Sequence, residues 1–174
     1  MATATEEKKT TNEKKPFRRN PRKVVKREDR AKSEFLQKVI SIRRVTRVMG
    51  GGRRFSFSVA MVLGDKKGRV GVGNGKASDT ALAIEKAVKN AKKNMVKVNL
   101  TKTMSIRHDV SSKYGASVVE IRPSKGRGLV AGSSVRIVLE LAGVTDVTAK
   151  LFSRSKNKLN NARATIKALG TLAK

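Results

Sequence analysis

The chain has 174 residues, with 41 Lys or Arg against 13 Asp or Glu, a formal net charge of +28. A body with that imbalance repels itself unless a polyanion neutralises it, and nucleic-acid phosphate is the obvious counter-charge. No apolar run approaches the roughly 20 residues that span a bilayer; there is no cysteine for disulfide or thiolate chemistry, and the single His108 is too little imidazole for a zinc cage or a charge relay.

Residues 1–34 read as a basic disordered tail, with 12 Lys or Arg, 6 Asp or Glu, and Pro16 and Pro21 to interrupt any helix. The remaining residues carry 29 basic and 7 acidic side chains, so the imbalance belongs to the folded part itself. No apolar stretch of a secretory signal follows Met1, and Glu6, Glu7 and Glu13 do not suit an acid-poor transit peptide. The expected compartment is the cytoplasm.

Ordered structure is expected from Phe35. Val39, Ile40, Ile42, Val45 and Val48 mark a first strand, with a break between Ile42 and Val45 that suggests a bulge. Gly50, Gly51 and Gly52 form a loop flanked by Arg47, Arg53 and Arg54. In the next strand Phe55, Phe57, Val59, Met61 and Leu63 share one face, against Arg54, Ser56 and Ser58 on the other. Phe55 and Phe57 are therefore expected in the core rather than stacked on bases. Residues 64–68 are a hairpin turn, and 69–76 a third strand alternating Val70 and Val72 with Gly71, Gly73 and Gly75.

A helix over 78–94, capped by Ser78 or Asp79, turns Ala77, Ala81, Ile84, Val88, Ala91 and Met95 to the sheet, with Lys86, Lys89, Lys93 and Lys97 opposite. This predicts an α+β unit over 35–99, a three-stranded antiparallel sheet with one helix. Residues 99–103 link it to a second unit over 100–174. There, strands are expected at 105–111, 116–122 and 144–152. Helices are expected at 133–142, ending at Gly143, and at 156–169 with Leu159, Ala162, Ile166 and Leu169 inward. Each unit, at about 65–75 residues, is a size at which folding buries only a modest share of surface.

Two glycine patterns imitate nucleotide sites. Residues 71–76 lack the glycine at 70 and the Ser or Thr at 77 of a Walker loop; a glycine face under a closely lying helix explains them better. Residues 126–131 satisfy G-x-G-x-x-A with Asp146 further on, but the strands before them read as a hairpin, and Lys125 and Arg127 suit an RNA backbone. With 3% aromatic residues, base stacking is not the expected principal device; phosphate and shape reading of structured RNA is. The glycine loop bracketed by arginines is the sharpest feature. Glycine lets backbone amides approach phosphates, and arginine binds them bidentately.

The run 51–57 (Gly-Gly-Arg-Arg-Phe-Ser-Phe), the run 62–77, and later 126–132, 138–143 and 163–165 together resemble the signature of the bacterial-type small-ribosomal-subunit protein five family. The resemblance covers about residues 34–170. It implies a first domain like double-stranded-RNA-binding domains and a second, a β-α-β-α sandwich with a left-handed crossover. It implies a non-enzymatic structural constituent of the small subunit, bound to rRNA at the junction of body and head beside small-subunit proteins four and eight. It further implies a place near the path by which mRNA enters, with an influence on decoding fidelity.

The residues expected to bind RNA are Arg43, Arg44, Thr46, Arg47, Gly50, Gly51, Gly52, Arg53, Arg54 and Lys76, with Lys125 and Arg127 facing RNA or a protein neighbour. No catalytic residue, metal, cofactor, membrane or small-molecule substrate is expected. The alternatives are a free-standing double-stranded-RNA-binding protein or RNA chaperone, and a nucleotide-dependent enzyme built on residues 126–131.

Overall fold

The computed structural model describes residues 34–172, so the expected tail lies outside the described residues but for Glu34. The first half forms β1 (Leu36–Met49), β2 (Gly52–Gly64), β3 (Arg69–Ala77), α1 (Thr80–Lys93) and β4 (Met95–Lys97). The strands make an antiparallel sheet in the order β1-β2-β3-β4. The sheet thus has four strands, not three. The extra one is only three residues long, too short to show a period in sequence. The bulge lies between Val39 and Ser41, earlier than expected, and it leaves Ile40 buried.

The glycine face of β3 is what lets α1 lie on the sheet. A Cβ on Gly73 would fall on the carbonyl oxygen of Ala87 and the amide nitrogen of Ala91, with the Ala91 Cβ only 2.8 Å away. Gly71 and Gly75 meet the same helix backbone. The helix answers with its smallest side chains: Ala83, Ala87 and Ala91 are fully buried, flanked by Ile84 and Val88. Ala81, expected inward, is exposed, because this stripe is centred a little further along the helix. Asp79 takes the N-cap position but its side chain caps no backbone amide.

The second half contains β5 (Val110–Tyr114), β6 (Ser117–Pro123), β7 (Leu129–Val130), α2 (Ser133–Ala142), β8 (Val147–Leu151) and α3 (Lys158–Thr171). Its sheet runs β5-β6-β8-β7, with β7 parallel to β8 and joined to it through α2, a β-α-β crossover. Helix α2 occupies the expected residues, and Gly143 ends it at φ 86°, the left-handed cap that glycine adopts without strain. Asn157 caps α3, accepting a hydrogen bond from the Leu159 amide at 3.2 Å. The strand expected at 105–111 begins only at Val110. Ser105 and Ile106 are buried, but in irregular backbone, where the Thr101 hydroxyl bonds to both the amide and the carbonyl of Ser105.

The face of the first sheet opposite α1 is also covered. Val62, Val70, Val72 and Ile40 join one core with Val138, Leu139, Leu141 and Leu169 of the second half. Each such side chain, fully buried, contributes about 1.5–3 kcal/mol. The β2–β3 turn closes the join by capping α2: the Lys66 amide donates to the Leu141 carbonyl at 3.0 Å and the Gly68 amide to Ala142 at 2.9 Å. Those are two of the carbonyls a helix end leaves unpaired. This double coverage buries Val59 through Leu63 on both sides of β2.

Candidate nucleic-acid interface

The β1–β2 hairpin outruns the rest of its sheet. Strand β3 pairs with β2 only from Phe57 onward, so residues 45–56 continue as a two-stranded ribbon. Along this ribbon the pleat sorts the side chains. Arg47 pairs directly with Arg54, and Arg43 with Ser58, which pairs in turn with Lys76. Arg43, Arg47, Arg54 and Lys76 therefore share one face. Arg44, Thr46 and Arg53 lie on the other, with Phe55 and Phe57.

The like-charged pair Arg47–Arg54 is unfavourable in the free protein, since like charges directly opposite each other on a sheet destabilise it. Among the described residues, none of these six cations is ion-paired to a carboxylate. Four acids elsewhere are taken up locally: Asp65 by Arg69 at 2.7 Å, Glu140 by Lys38 at 3.1 Å, and Glu120 and Asp109 by Arg122. The ribbon is thus a surface of uncompensated positive charge, pre-arranged by backbone pairing.

Its tip suits close approach. Among the described residues nothing lies within 4 Å of where a Cβ on Gly50 or Gly51 would stand, so packing among them does not require glycine there. Gly52, at φ +123°, is required by its backbone conformation.

Lys125 and Arg127 occupy a different place, the exposed loop between β6 and β7, where Gly126 (φ +74°) and Gly128 (φ +68°) shape the backbone. Lys125 borders a cavity of about 540 Å³ with Arg107, Thr101, Thr103, Pro123 and Asp146. Arg107 is not among the residues expected to bind RNA, since in the sequence nothing sets its charge apart from the many other basic residues. The candidate residues therefore form two groups: the hairpin set and the β6–β7 loop pair.

Phe55 corrects another expectation. It is 46% exposed, not in the core, and the Arg44 guanidinium lies 4.3 Å from its ring centroid. Helix α1 covers Phe57, Val59 and Met61 but stops short of Phe55. Period-two alternation continues past the edge of the covering helix, so it could not reveal where burial ends.

Among the described residues, Asp65 is the one carboxylate held clearly below its usual value near 3.8. Burial acts to raise it, but hydrogen bonds from the Arg69 guanidinium and from the Arg69 and Lys67 amides, with the Arg69 charge, outweigh that and stabilise the anion. This serves the turn that docks on α2. Among the described residues there is no group of three or more His, Asp or Glu that could hold a metal ion, and no helix is long and apolar enough to cross a membrane.

A cationic ribbon unpaired among the described residues, open glycines at its tip and a two-sheet α+β frame define a polyanion-binding protein of the RNA-binding class. Comparison with known proteins narrows this. Residues 35–99 match the family model "Ribosomal protein S5, N-terminal domain", and residues 112–174 match "Ribosomal protein S5, C-terminal domain". Small ribosomal subunit protein uS5 of Thermosynechococcus vestitus is 47% identical over 156 residues, 89% of this chain and 86% of the relative. The protein of that name from Synechococcus elongatus is 49% identical over 80% of this chain and 78% of its own length. That of Mycoplasmopsis agalactiae is 48% identical over 82% of this chain, which spans 62% of that relative's length. The chain belongs to the ribosomal protein S5 family.

Proposed function

We propose that this chain is a structural constituent of the small ribosomal subunit, working in the cytoplasm, and that it holds rRNA through the β1–β2 hairpin. The observation that carries the hairpin's role is the Arg47–Arg54 pair, a like-charge juxtaposition that no carboxylate among the described residues pairs. Phosphates between such cations relieve the repulsion and replace condensed counterions. Arg43, Arg47, Arg54 and Lys76 take the backbone from one face. Thr46, Arg44 and Arg53 reach it from the other, and Gly50, Gly51 and Gly52 admit it to the tip. Lys125 and Arg127 form a separate contact region for RNA or a neighbouring protein.

No chemistry is assigned to the chain: it acts by binding. The reading retains a basic tail over 1–34, an RNA-binding domain over 35–99 and a second domain over 100–174. The core common to both sheets favours a single rigid body over a first sheet acting alone as a free-standing module. The family resemblance extends the reading to small-subunit proteins four and eight as neighbours and to a position close to the mRNA path, with an effect on decoding fidelity.

The test is assembly in competition. Cells expressing both the unchanged chain and a variant with Arg43, Arg47, Arg54 and Lys76 all replaced by alanine are lysed, and small subunits are isolated. The variant is expected to be strongly under-represented in the subunits relative to the lysate. Equal incorporation would overturn the hairpin as the rRNA grip.

A further inference from the structure

The second face of the β1–β2 hairpin is not a copy of its first. It carries Arg44 and Arg53 together with a row of exposed apolar side chains: Phe55, Val48 at 73% exposure and Ile42 at 52%. Thr46 pairs across from Phe55, and Arg44, one step diagonal to it, lays its guanidinium over the ring. Phe57, next along the same face, is held under α1 and fixes the direction of the row.

We infer that this face is a stacking platform for an unpaired RNA base, which lies against Phe55 and Arg44 while the cations of the opposite face hold the adjoining phosphates. This rests on the reading of the hairpin as the rRNA grip and adds to it a contact that is not electrostatic. Charge selects the occupant. A protein partner covering the apolar row would bury Arg44 and Arg53 and have to supply carboxylates to both, because an unpaired buried charge is strongly destabilising. A nucleotide brings its own anion and a π face that accepts both an aromatic ring and a guanidinium plane. Such stacking tolerates any base. The low aromatic content of the chain is no obstacle, because one ring in the right place suffices.

The chain contains no tryptophan, so Phe55→Trp introduces a single fluorescent reporter at the platform. Its emission is expected to be quenched when isolated small-subunit rRNA is added to the full chain. Phe55→Ala and Phe55→Leu are expected to weaken binding to that rRNA by about 5- to 150-fold, with the slope of affinity against salt unchanged. Arg47→Ala should instead lower the slope. Because Phe55 is half exposed, thermal melting of these variants should stay near that of the unchanged chain. Leucine keeps the apolar contact but has no π face, so full affinity in Phe55→Leu would overturn the platform even if Phe55→Ala were to unfold. Unquenched tryptophan at saturating RNA would overturn it too. If Phe55→Leu binds normally while Arg47→Ala loses slope, the platform fails and the rRNA grip stands. If neither variant differs from the unchanged chain, both fail.

Discussion

Replacing Arg47 should move the stability of the free protein and its affinity for RNA in opposite directions. Arg47 stands directly across from Arg54 on an exposed ribbon. A like-charge cross-strand pair costs about 0.2–1 kcal/mol. For a folded body of this size about 1 kcal/mol corresponds to roughly 2–5 °C, so Arg47→Ala should raise the melting temperature by about 0.5–5 °C at low salt. The gain should vanish at about 1 M salt, where charges more than about 3 Å apart are screened. On RNA the same change removes one phosphate contact, lowering the slope of log K against log salt by about 0.9 and weakening binding about eightfold at 0.1 M relative to 1 M. Calorimetry of the free chain and filter binding to small-subunit rRNA across a salt series measure the two effects. A melting temperature that falls, with an unchanged slope, would refute the argument that the pair is held in wait for an anion. Arg54→Ala should behave alike. The double variant should gain little further stability, since the repulsion is already gone, yet lose a second unit of slope.

Three further outcomes follow from named contacts. Gly73→Ala should destabilise the fold by at least about 1–3 kcal/mol in urea unfolding, because the added methyl meets the α1 backbone, which has no rotamer to escape through; wild-type stability would show that the helix can lift at little cost. Gly51→Ala should leave the fold as stable or about 0.4–1 kcal/mol more so, with nothing nearby to clash, while reducing affinity for rRNA; undiminished affinity would remove close approach at the tip from the account. Asp65 titrates below its usual value in the fold, so the unfolded chain takes up its proton first. Its contribution is therefore complete above about pH 4 and is lost as pH falls through the lower folded value. Urea midpoints should decline more steeply with acid in the unchanged chain than in Asp65→Asn, and parallel declines would refute this.

Much of the frame was legible because particular residues leave few choices. The alternation of glycine and valine in β3 announced a helix lying close, and Gly71, Gly73 and Gly75 do face the α1 backbone. Gly143 marked the end of α2 because little else adopts its backbone conformation cheaply. The hairpin cations were legible as a cluster, since arginines flanking three glycines have no reading as core. What escaped were properties of the surroundings. The covering of the first sheet by α2 brings Val62 and Leu141, far apart in sequence, into one core, so β2 read as one-faced when it is buried on both. Phe55 read as core because its row continues into Phe57 and Val59; only the end of α1 separates them. Ser105 and Ile106 read as strand because burial alone looks alike in a loop and in a ladder. That Lys125 and Arg107 border one cavity needed the irregular link to be folded first.

The central claim is that this chain is an integral part of the small ribosomal subunit, held there by RNA. A cell lysate sedimented through a sucrose gradient, with and without ribonuclease, tests it most directly when the chain is quantified in each fraction by mass spectrometry. The account predicts near-equimolar migration with small subunits that is lost when the RNA is digested. A spread through the light fractions with no small-subunit peak would contradict it and leave a free RNA-binding protein in its place.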